Sequence, residues 1–143
     1  MVIPDSVITI EKEAFYYCDA LESVVIGKNA NNIGEYAFAW CEALINVELS
    51  EGVVSISDYM FYCCKSLKNI VIPNSIQSIG PYAFIYCENL TSITFSDIST
   101  WYTTNNYDDW QNRTGGENIN VSKASSIAIY VTDYYANRFW YKL

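Results

Sequence analysis

The sequence predicts an α/β-type repeat solenoid, in which four coils of 23 residues stack on one another and a different segment closes one end. Three observations predict this fold. Hydrophobic residues recur every 23 residues, alternating stretches inside each repeat have the pattern of β-strands, and the repeat stops at Phe95. One coil alone cannot bury its apolar side, so the coils must stack to form a continuous core.

The four repeats align without a gap. Each opens on Ile or Leu, and a Phe, a Cys and a Leu follow at fixed positions. The repeats span residues 3–25, 26–48, 49–71 and 72–94. Their shared residues are Ile3, Ile26, Leu49 and Ile72; Phe15, Phe38, Phe61 and Phe84; Cys18, Cys41, Cys64 and Cys87; and Leu21, Leu44, Leu67 and Leu90.

Three local patterns define one coil. The pattern L-x-x-V-x-I, as in residues 21–26, alternates at its end and predicts the main strand. A shorter extended piece is V-x-x-I, as in residues 53–56. Residues 36–41 contain no turn residue and predict one helical or 3₁₀ turn. Equivalent strands of stacked coils are expected to pair in parallel, about 4.8 Å apart.

Residues 72–90 carry a recognisable consensus, I-P-x-S-I-x-x-I-G-x-x-A-F-x-x-C-x-x-L. This pattern resembles the BspA-like, or Treponema pallidum-type, leucine-rich-repeat family over residues 3–95, with departures at residues 27–30, Ser57 and Met60. The resemblance implies right-handed coils with a parallel sheet on the concave face. It also implies a secreted or cell-surface bacterial protein that acts in adhesion or protein binding rather than in catalysis.

Composition and charge exclude several function classes. The net charge is −8, with only 8 Lys and Arg residues, which disfavours nucleic acids and anionic membrane surfaces as partners. No stretch is long and apolar enough for membrane insertion. The chain has no His and no Gly-rich phosphate loop, so we expect no enzyme activity, no metal site and no cofactor.

The N-terminal end of the repeat array is abrupt. No signal peptide pattern precedes the first repeat, and that repeat has no polar cap. We therefore expect the chain to be a fragment of a larger secreted or cell-surface protein. The open edge also predicts end-to-end self-association.

The cysteine column has two interpretations. Free buried thiols are favoured over a disulfide framework, because equivalent side chains in parallel strands point the same way, whereas a disulfide needs Cβ atoms about 3.8 Å apart. Cys63 stands where other repeats have an aromatic ring, so we expect it at the surface. A strained Cys63–Cys64 disulfide is the alternative for that residue.

Residues 96–143 break the repeat and are expected to form a C-terminal capping segment of the same domain. Strand candidates are residues 119–121 and 127–131, followed by an aromatic-rich helical or irregular piece that ends near Lys142. Its aromatic residues either cover the last coil or form a carbohydrate-binding patch; buried rings would indicate a cap, and exposed coplanar rings a binding surface. These residues are Trp101, Trp110, Phe139 and Trp140.

Two surfaces are candidates for binding. The first consists of the outward residues around the main strands: Glu22, Ser23, Val25, Ile45, Asn46, Glu48, Lys68, Asn69, Val71, Thr91, Ser92 and Thr94. The second is an aromatic stripe, whose rings either pack between coils or anchor a ligand. It comprises Tyr17, Trp40, Tyr86, Tyr36, Tyr59 and Tyr82.

Two function classes follow from these features. The first is a non-catalytic binding module of an adhesin-like protein, whose partner is a protein or glycan on a host or bacterial surface. The alternative is a structural spacer that positions other domains of a larger protein.

Overall fold

The computed structural model describes residues 1–97, 101–104, 112, 116–119 and 137–142. Each coil within residues 1–97 contains a long strand, a short strand and a turn segment. The long strands are β1 (Val2–Ile3), β3 (Ser23–Ile26), β5 (Asn46–Leu49), β7 (Asn69–Ile72) and β9 (Ser92–Phe95). The short strands are β2 (Thr9–Ile10), β4 (Asn32–Ile33), β6 (Ser55–Ile56) and β8 (Ser78–Ile79). Three strands follow the repeats: β10 (Trp101–Thr104), β11 (Glu117–Ile119) and β12 (Phe139–Lys142).

The long strands form one parallel sheet in the order β1-β3-β5-β7-β9. Partners differ by one repeat, as where Val24 lies opposite Val47. Alternation along each strand buries Val24 and Ile26 and turns Ser23 outward. The predicted solenoid with a 23-residue repeat and a parallel sheet is therefore confirmed.

The turn segments are not helical, and residues 1–97 contain no helix. The backbone N–H groups of Tyr36, Phe38 and Trp40 donate to carbonyl oxygens of the next coil, at 3.3, 3.0 and 2.7 Å. Tyr36 and Trp40 also adopt left-handed backbone, with φ of 57° and 61°. The predicted helical turn is wrong because hydrogen bonding between coils uses the donors that a helix would need. No helix within the described ranges is long and apolar enough to cross a membrane.

The cysteine column lies in the core as free thiols, as predicted. Each inner thiol donates to the carbonyl oxygen of a Phe in the preceding coil; Cys64 reaches Phe38 O at 3.2 Å, and Cys87 reaches Phe61 O at 3.1 Å. The surface position predicted for Cys63 is wrong, since its side chain is buried. Cys63 keeps the left-handed backbone of its column, with φ of 58°, and the ring of the adjacent Tyr62 takes the place of the missing ring, 5.8 Å from Trp40 and 5.5 Å from Tyr86.

Stability is expected to fall at alkaline pH because of these thiols. Burial raises the pKa of Cys41 to about 11 and that of Cys87 to about 12, from a usual value of 9.0. The folded chain keeps these protons where the unfolded chain loses them, so this stabilisation is complete below pH 9.0 and is lost as pH rises through about 11 and 12. Between pH 9.0 and its raised pKa, each thiol lowers the free energy of unfolding by about 1.4 kcal/mol per pH unit.

Urea unfolding at a series of pH values above neutrality measures this slope. The Cys41→Ala variant is the control, and we expect its free energy of unfolding to decline less steeply in the alkaline range than that of the unchanged protein. Parallel pH profiles for the two proteins would rule out the thiol as the cause.

The C-terminal segment closes the last coil by antiparallel pairing. β12 pairs with β8, β10 with β12, and β11 with β10, which gives a sheet in the order β11-β10-β12-β8-β6. Trp101 and Trp140 are each 1% exposed, and the Trp101 ring lies 4.9 Å from that of Phe95. Burial of these two rings favours the cap over the carbohydrate patch as their role.

Other expectations for this segment need correction. Residues 139–142 form a strand instead of a helical or irregular piece, because β8 offers them an unpaired edge. β10 was not predicted, and Ile119 ends β11. Trp110, residues 120–121 and the strand candidate 127–131 lie outside the described residues.

Lys142 fixes β12 to the final coil. Its Nζ donates to Asn74 O at 2.7 Å and forms an ion pair with Asp97 at 3.0 Å. The Lys142 side chain is only 9% exposed and that of Asp97 37%, so the ion pair is partly shielded from water. The cap is thus held by an ion pair as well as by apolar burial.

Candidate binding surfaces

The outward side of the long-strand sheet, called here the sheet face, carries two straight rows of short side chains. In the first row Ser23 lies opposite Asn46, Asn46 opposite Asn69, and Asn69 opposite Ser92. In the second row Val25 lies opposite Glu48, and Val71 opposite Thr94. The structure therefore brings these predicted residues together on one surface.

The remaining predicted residues of this surface directly precede the strands. The backbone N–H of Ile45 donates to Glu22 O at 2.8 Å, and that of Thr91 donates to Lys68 O at 3.0 Å. These contacts extend the hydrogen bonding between coils by one position toward the N-terminal end of each strand. They form a third row, which consists of Glu22, Ile45, Lys68 and Thr91. Ile45 is half-buried, whereas Glu22, Lys68 and Thr91 are exposed.

A groove of about 450 Å³ crosses the sheet face beside Glu48 and Val71. The Glu51 carboxylate in its wall accepts hydrogen bonds from the backbone N–H groups of Asn74 and Ser75, both at 3.1 Å, and so has a structural role. Glu48 has no ion-pair partner among the described residues, lies opposite Val25 and shares the groove with Val71. The groove therefore contains two carboxylates, of which Glu51 is held by backbone N–H groups and Glu48 is the one left for a partner.

The aromatic stripe is a set of rings stacked on one another. Tyr36, Tyr59 and Tyr82 stack with centroids 4.5 and 4.9 Å apart, and Tyr17 stacks on Trp40 at 5.2 Å. Ring faces that cover one another are not available to a sugar or a partner ring. These contacts favour packing between coils as the role of the stripe.

Tyr62 belongs to the stripe, although the repeat alignment did not indicate it. Its ring lies 5.8 Å from Trp40 and 5.5 Å from Tyr86, and so fills the gap that Cys63 leaves in its column. The equivalent positions in the other repeats are Tyr16, Ala39 and Ile85. No shared pattern at this position could have identified it.

The backbone beneath the stripe has an unusual conformation. Six of its aromatic residues have φ between 57° and 61°, in the left-handed region, which costs about 1–2 kcal/mol per residue. Ring stacking and hydrogen bonds between coils offset this cost. The residues are Tyr17, Tyr36, Trp40, Tyr59, Tyr82 and Tyr86.

Cationic side chains bridge adjacent coils at the edge of the stripe. Lys12 pairs with Glu35 at 3.0 Å and lies 5.7 Å from the centre of the Tyr36 ring. Lys65 pairs with Glu42 at 2.7 Å and stands 5.8 Å from the Trp40 ring. Both lysines thus add to the stacking of the coils.

A second groove, of about 470 Å³, lies along the short strands and was not predicted. Burial, and to a lesser degree the neighbouring Glu35, raise the pKa of Asp58 above its usual value. The Ser57 hydroxyl in this groove donates to Ile33 O, and Phe139 of β12 closes one end. Glu35 is already paired with Lys12, which leaves Asp58 as the less compensated acid.

Comparison with known proteins identifies the repeat. Residues 1–110 match the model of the BspA type leucine rich repeat region, in six copies. The crystal structure of a T. pallidum leucine rich repeat protein is similar, with a TM-score of 0.61 and 33% identity, and the match covers 64% of this chain and 45% of that one.

A leucine rich cell surface protein from Faecalibacterium prausnitzii A2-165 matches with 26% identity and a TM-score of 0.46, over 83% of this chain and 35% of that one. The chain thus spans less than half the length of either solved relative. No curated protein matches it. Since the family model covers most of the sequence, the chain belongs to the BspA-type leucine-rich-repeat family.

Proposed function

We propose that this chain is a non-catalytic binding module of a bacterial cell-surface or secreted protein, and that it contacts a partner protein through the sheet face. The observation that supports this proposal most directly is the chemistry of that face. The two rows within the strands consist of Ser, Asn, Val and Thr side chains with one Glu, Glu48, and are held in register by parallel strand pairing, while the third row adds one acidic and one basic side chain, Glu22 and Lys68. A surface fixed by strand pairing in this way presents hydrogen-bonding and apolar groups with little cost of rearrangement.

The exposed parts of the sheet face match what protein partners use. Val71 is 52% exposed at its centre, and Asn46 and Asn69 lie side by side with amide groups that both donate and accept. The backbone beneath them is fixed by pairing, so little conformational entropy is lost on binding. The surface location is supported by membership of the repeat family.

A protein fits the sheet face better than a glycan does. None of the predicted outward residues on this face is aromatic, so the face lacks the rings that stack on sugars. Rings are abundant in the stripe, but Tyr36, Tyr59 and Tyr82 stack on one another, as Tyr17 does on Trp40, which leaves Tyr86 as the predicted stripe ring without a stacked partner among the described residues. The unpaired Glu48 and the net charge of −8 favour a partner with a basic patch.

The test is a binding screen of the purified chain against immobilised extracellular-matrix proteins and a glycan array. We expect saturable binding to one or more proteins, weakened by salt, and no selective binding on the glycan array. Selective glycan binding would contradict the assignment to a protein partner. Silence in both screens would favour the spacer function instead.

A further inference from the structure

The groove along the short strands lies where the pairing between coils is interrupted. β2 pairs with β4 and β6 with β8, but β4 and β6 belong to different sheets. The backbone N–H of Gly34 donates to Ile10 O at 2.8 Å. At the same position of the next coil, the Ser57 hydroxyl reaches Ile33 O in place of a backbone N–H. The wall of the groove contains residues of both coils, so the groove lies at this interruption.

The groove contains a carboxylate without a cationic neighbour. Lys12, Glu35, Asp58 and Pro81 occupy the same position of successive coils. Lys12 pairs with Glu35 at 3.0 Å, whereas no residue of the described ranges forms an ion pair with Asp58. Burial, and then repulsion by Glu35, raise the pKa of Asp58 above its usual value. Charge complementarity therefore favours a positively charged occupant beside Asp58.

The residues around Asp58 supply further acceptors and an aromatic ring. A Cβ atom at Gly80 would clash with Oδ1 and the backbone N of Asp58, so the glycine lets this half-buried carboxylate lie against the next coil. Ser55 and Ser78 lie opposite each other on β6 and β8, and their hydroxyl oxygens can accept hydrogen bonds. Phe139 of β12 adds a half-buried ring. The lining contains no Lys or Arg.

This set of groups suits an organic cation better than a metal ion. Calcium takes about six to eight oxygen ligands, and the described part of the chain has no group of three or more His, Cys, Asp or Glu residues that could hold a metal ion. A planar guanidinium donates from several N–H groups at once and can also stack on an aromatic ring. An ammonium is a compact point charge without a flat face. Acceptors on two strands beside a ring therefore favour a guanidinium.

We propose that the short-strand groove binds an arginine side chain of an extended peptide segment, with the guanidinium against Asp58 and the ring of Phe139. The groove volume of about 470 Å³ lies within the roughly 300–1,000 Å³ of small-ligand sites. The net charge of −8 attracts a basic segment over a distance. This site goes beyond the proposed function, because the short strands are not part of the sheet that carries the sheet face.

Titration of the isotope-labelled full chain with a blocked tripeptide, arginine between two glycines, tests this site through amide chemical shifts. We expect saturable shifts at Ser57, Asp58 and Gly80, with a Kd on the order of 1 mM. Asp58→Asn is expected to bind at least about tenfold more weakly, because it keeps the shape of the side chain and removes its charge. Phe139→Leu is expected to bind about threefold more weakly, since the ring face is lost. Circular dichroism and the unfolding temperature verify that both variants fold.

The matched control is Asp19→Asn, the same substitution at an exposed carboxylate outside the groove, which is expected to leave the peptide affinity unchanged. The same tripeptide with citrulline, which has the shape of arginine without its charge, is expected not to bind, and the lysine version is expected to bind more weakly.

Absence of saturable shifts would overturn the proposal, as would unchanged affinity in Asp58→Asn or equal affinity for the citrulline or lysine peptide. Calcium chloride alone is the probe for a metal ion, and shifts of the same amides at lower concentrations of calcium than of peptide would also overturn it. The probe is a tripeptide and the readout is confined to this groove. None of these outcomes therefore bears on partner binding by the sheet face.

Discussion

Replacing Phe61 with alanine is expected to lower the free energy of unfolding by about 3–5 kcal/mol. The Phe61 ring is fully buried and stacks between Phe38 and Phe84, with centroids 5.8 and 5.5 Å away. Its removal leaves a cavity in the middle of the stack, where neighbours on both sides are held by inter-coil hydrogen bonds and cannot collapse into it. Urea unfolding followed by circular dichroism measures the loss.

Phe15→Ala is the control for this prediction. Phe15 occupies the same position of the repeat, but it is half-buried and contacts a Phe ring on one side only. We expect a loss well below that of Phe61→Ala, because water and the open groove already reach the site. Equal losses for the two variants, or a Phe61→Ala loss below about 1 kcal/mol, would contradict the assignment of this column to a continuous core.

Replacing Trp140 with alanine is the second large effect, with an expected loss of about 3–5 kcal/mol. Trp140 is 1% exposed, pairs opposite Ile79 in β8 and opposite Thr103 in β10, and so links the last coil to the rest of the cap. Its loss removes the largest apolar contact of β12 and uncovers the β8 edge. Thermal unfolding measures the loss of stability, and faster amide hydrogen exchange at Ile79 reports the uncovered β8 edge.

The control for the cap is Glu117→Ala in β11. Glu117 forms an exposed ion pair with Arg138 at 2.9 Å, and such pairs contribute about 0–1 kcal/mol. We expect its unfolding temperature to stay near that of the unchanged chain. If Trp140→Ala were as mild as Glu117→Ala, the C-terminal strands would not be the cap of this stack.

The repeat spacing was enough to predict the coils because stacking leaves little freedom. Once Val24, Val47 and Ile70 must point inward at the same position of successive coils, parallel register follows from the spacing alone. The buried Phe and Cys columns follow for the same reason. These features are fixed by residues that every repeat shares.

The turn segment and the cap strands could not be predicted in this way. Residues 36–41 have a local preference for helix, but their N–H groups pair with the next coil, and this pairing decides the backbone. The strand at residues 139–142 depends on the free edge of β8, which is 60 residues away in sequence. Such elements are determined by tertiary contacts that local patterns do not contain.

The candidate sites likewise contain features that the repeat predicts and features that it does not. The outward direction of the sheet-face residues within the strands could be predicted, because alternation fixes which residues point outward; their role in binding stays a prediction. The place of Tyr62 in the stripe and the burial of Cys63 were missed, since both are exceptions within their columns. Whether the stripe rings cover each other depends on ring orientation, which the sequence does not specify.

The most direct measurement compares two exposed positions in binding to an immobilised matrix protein that retains the unchanged chain. Val71 on the sheet face is 52% exposed, and Tyr86 in the stripe is 54% exposed. Val71→Asp is expected to weaken binding at least about tenfold with an unchanged unfolding temperature, while Tyr86→Asp leaves the affinity intact. Intact binding by Val71→Asp together with loss in Tyr86→Asp would contradict the sheet face as the contact surface.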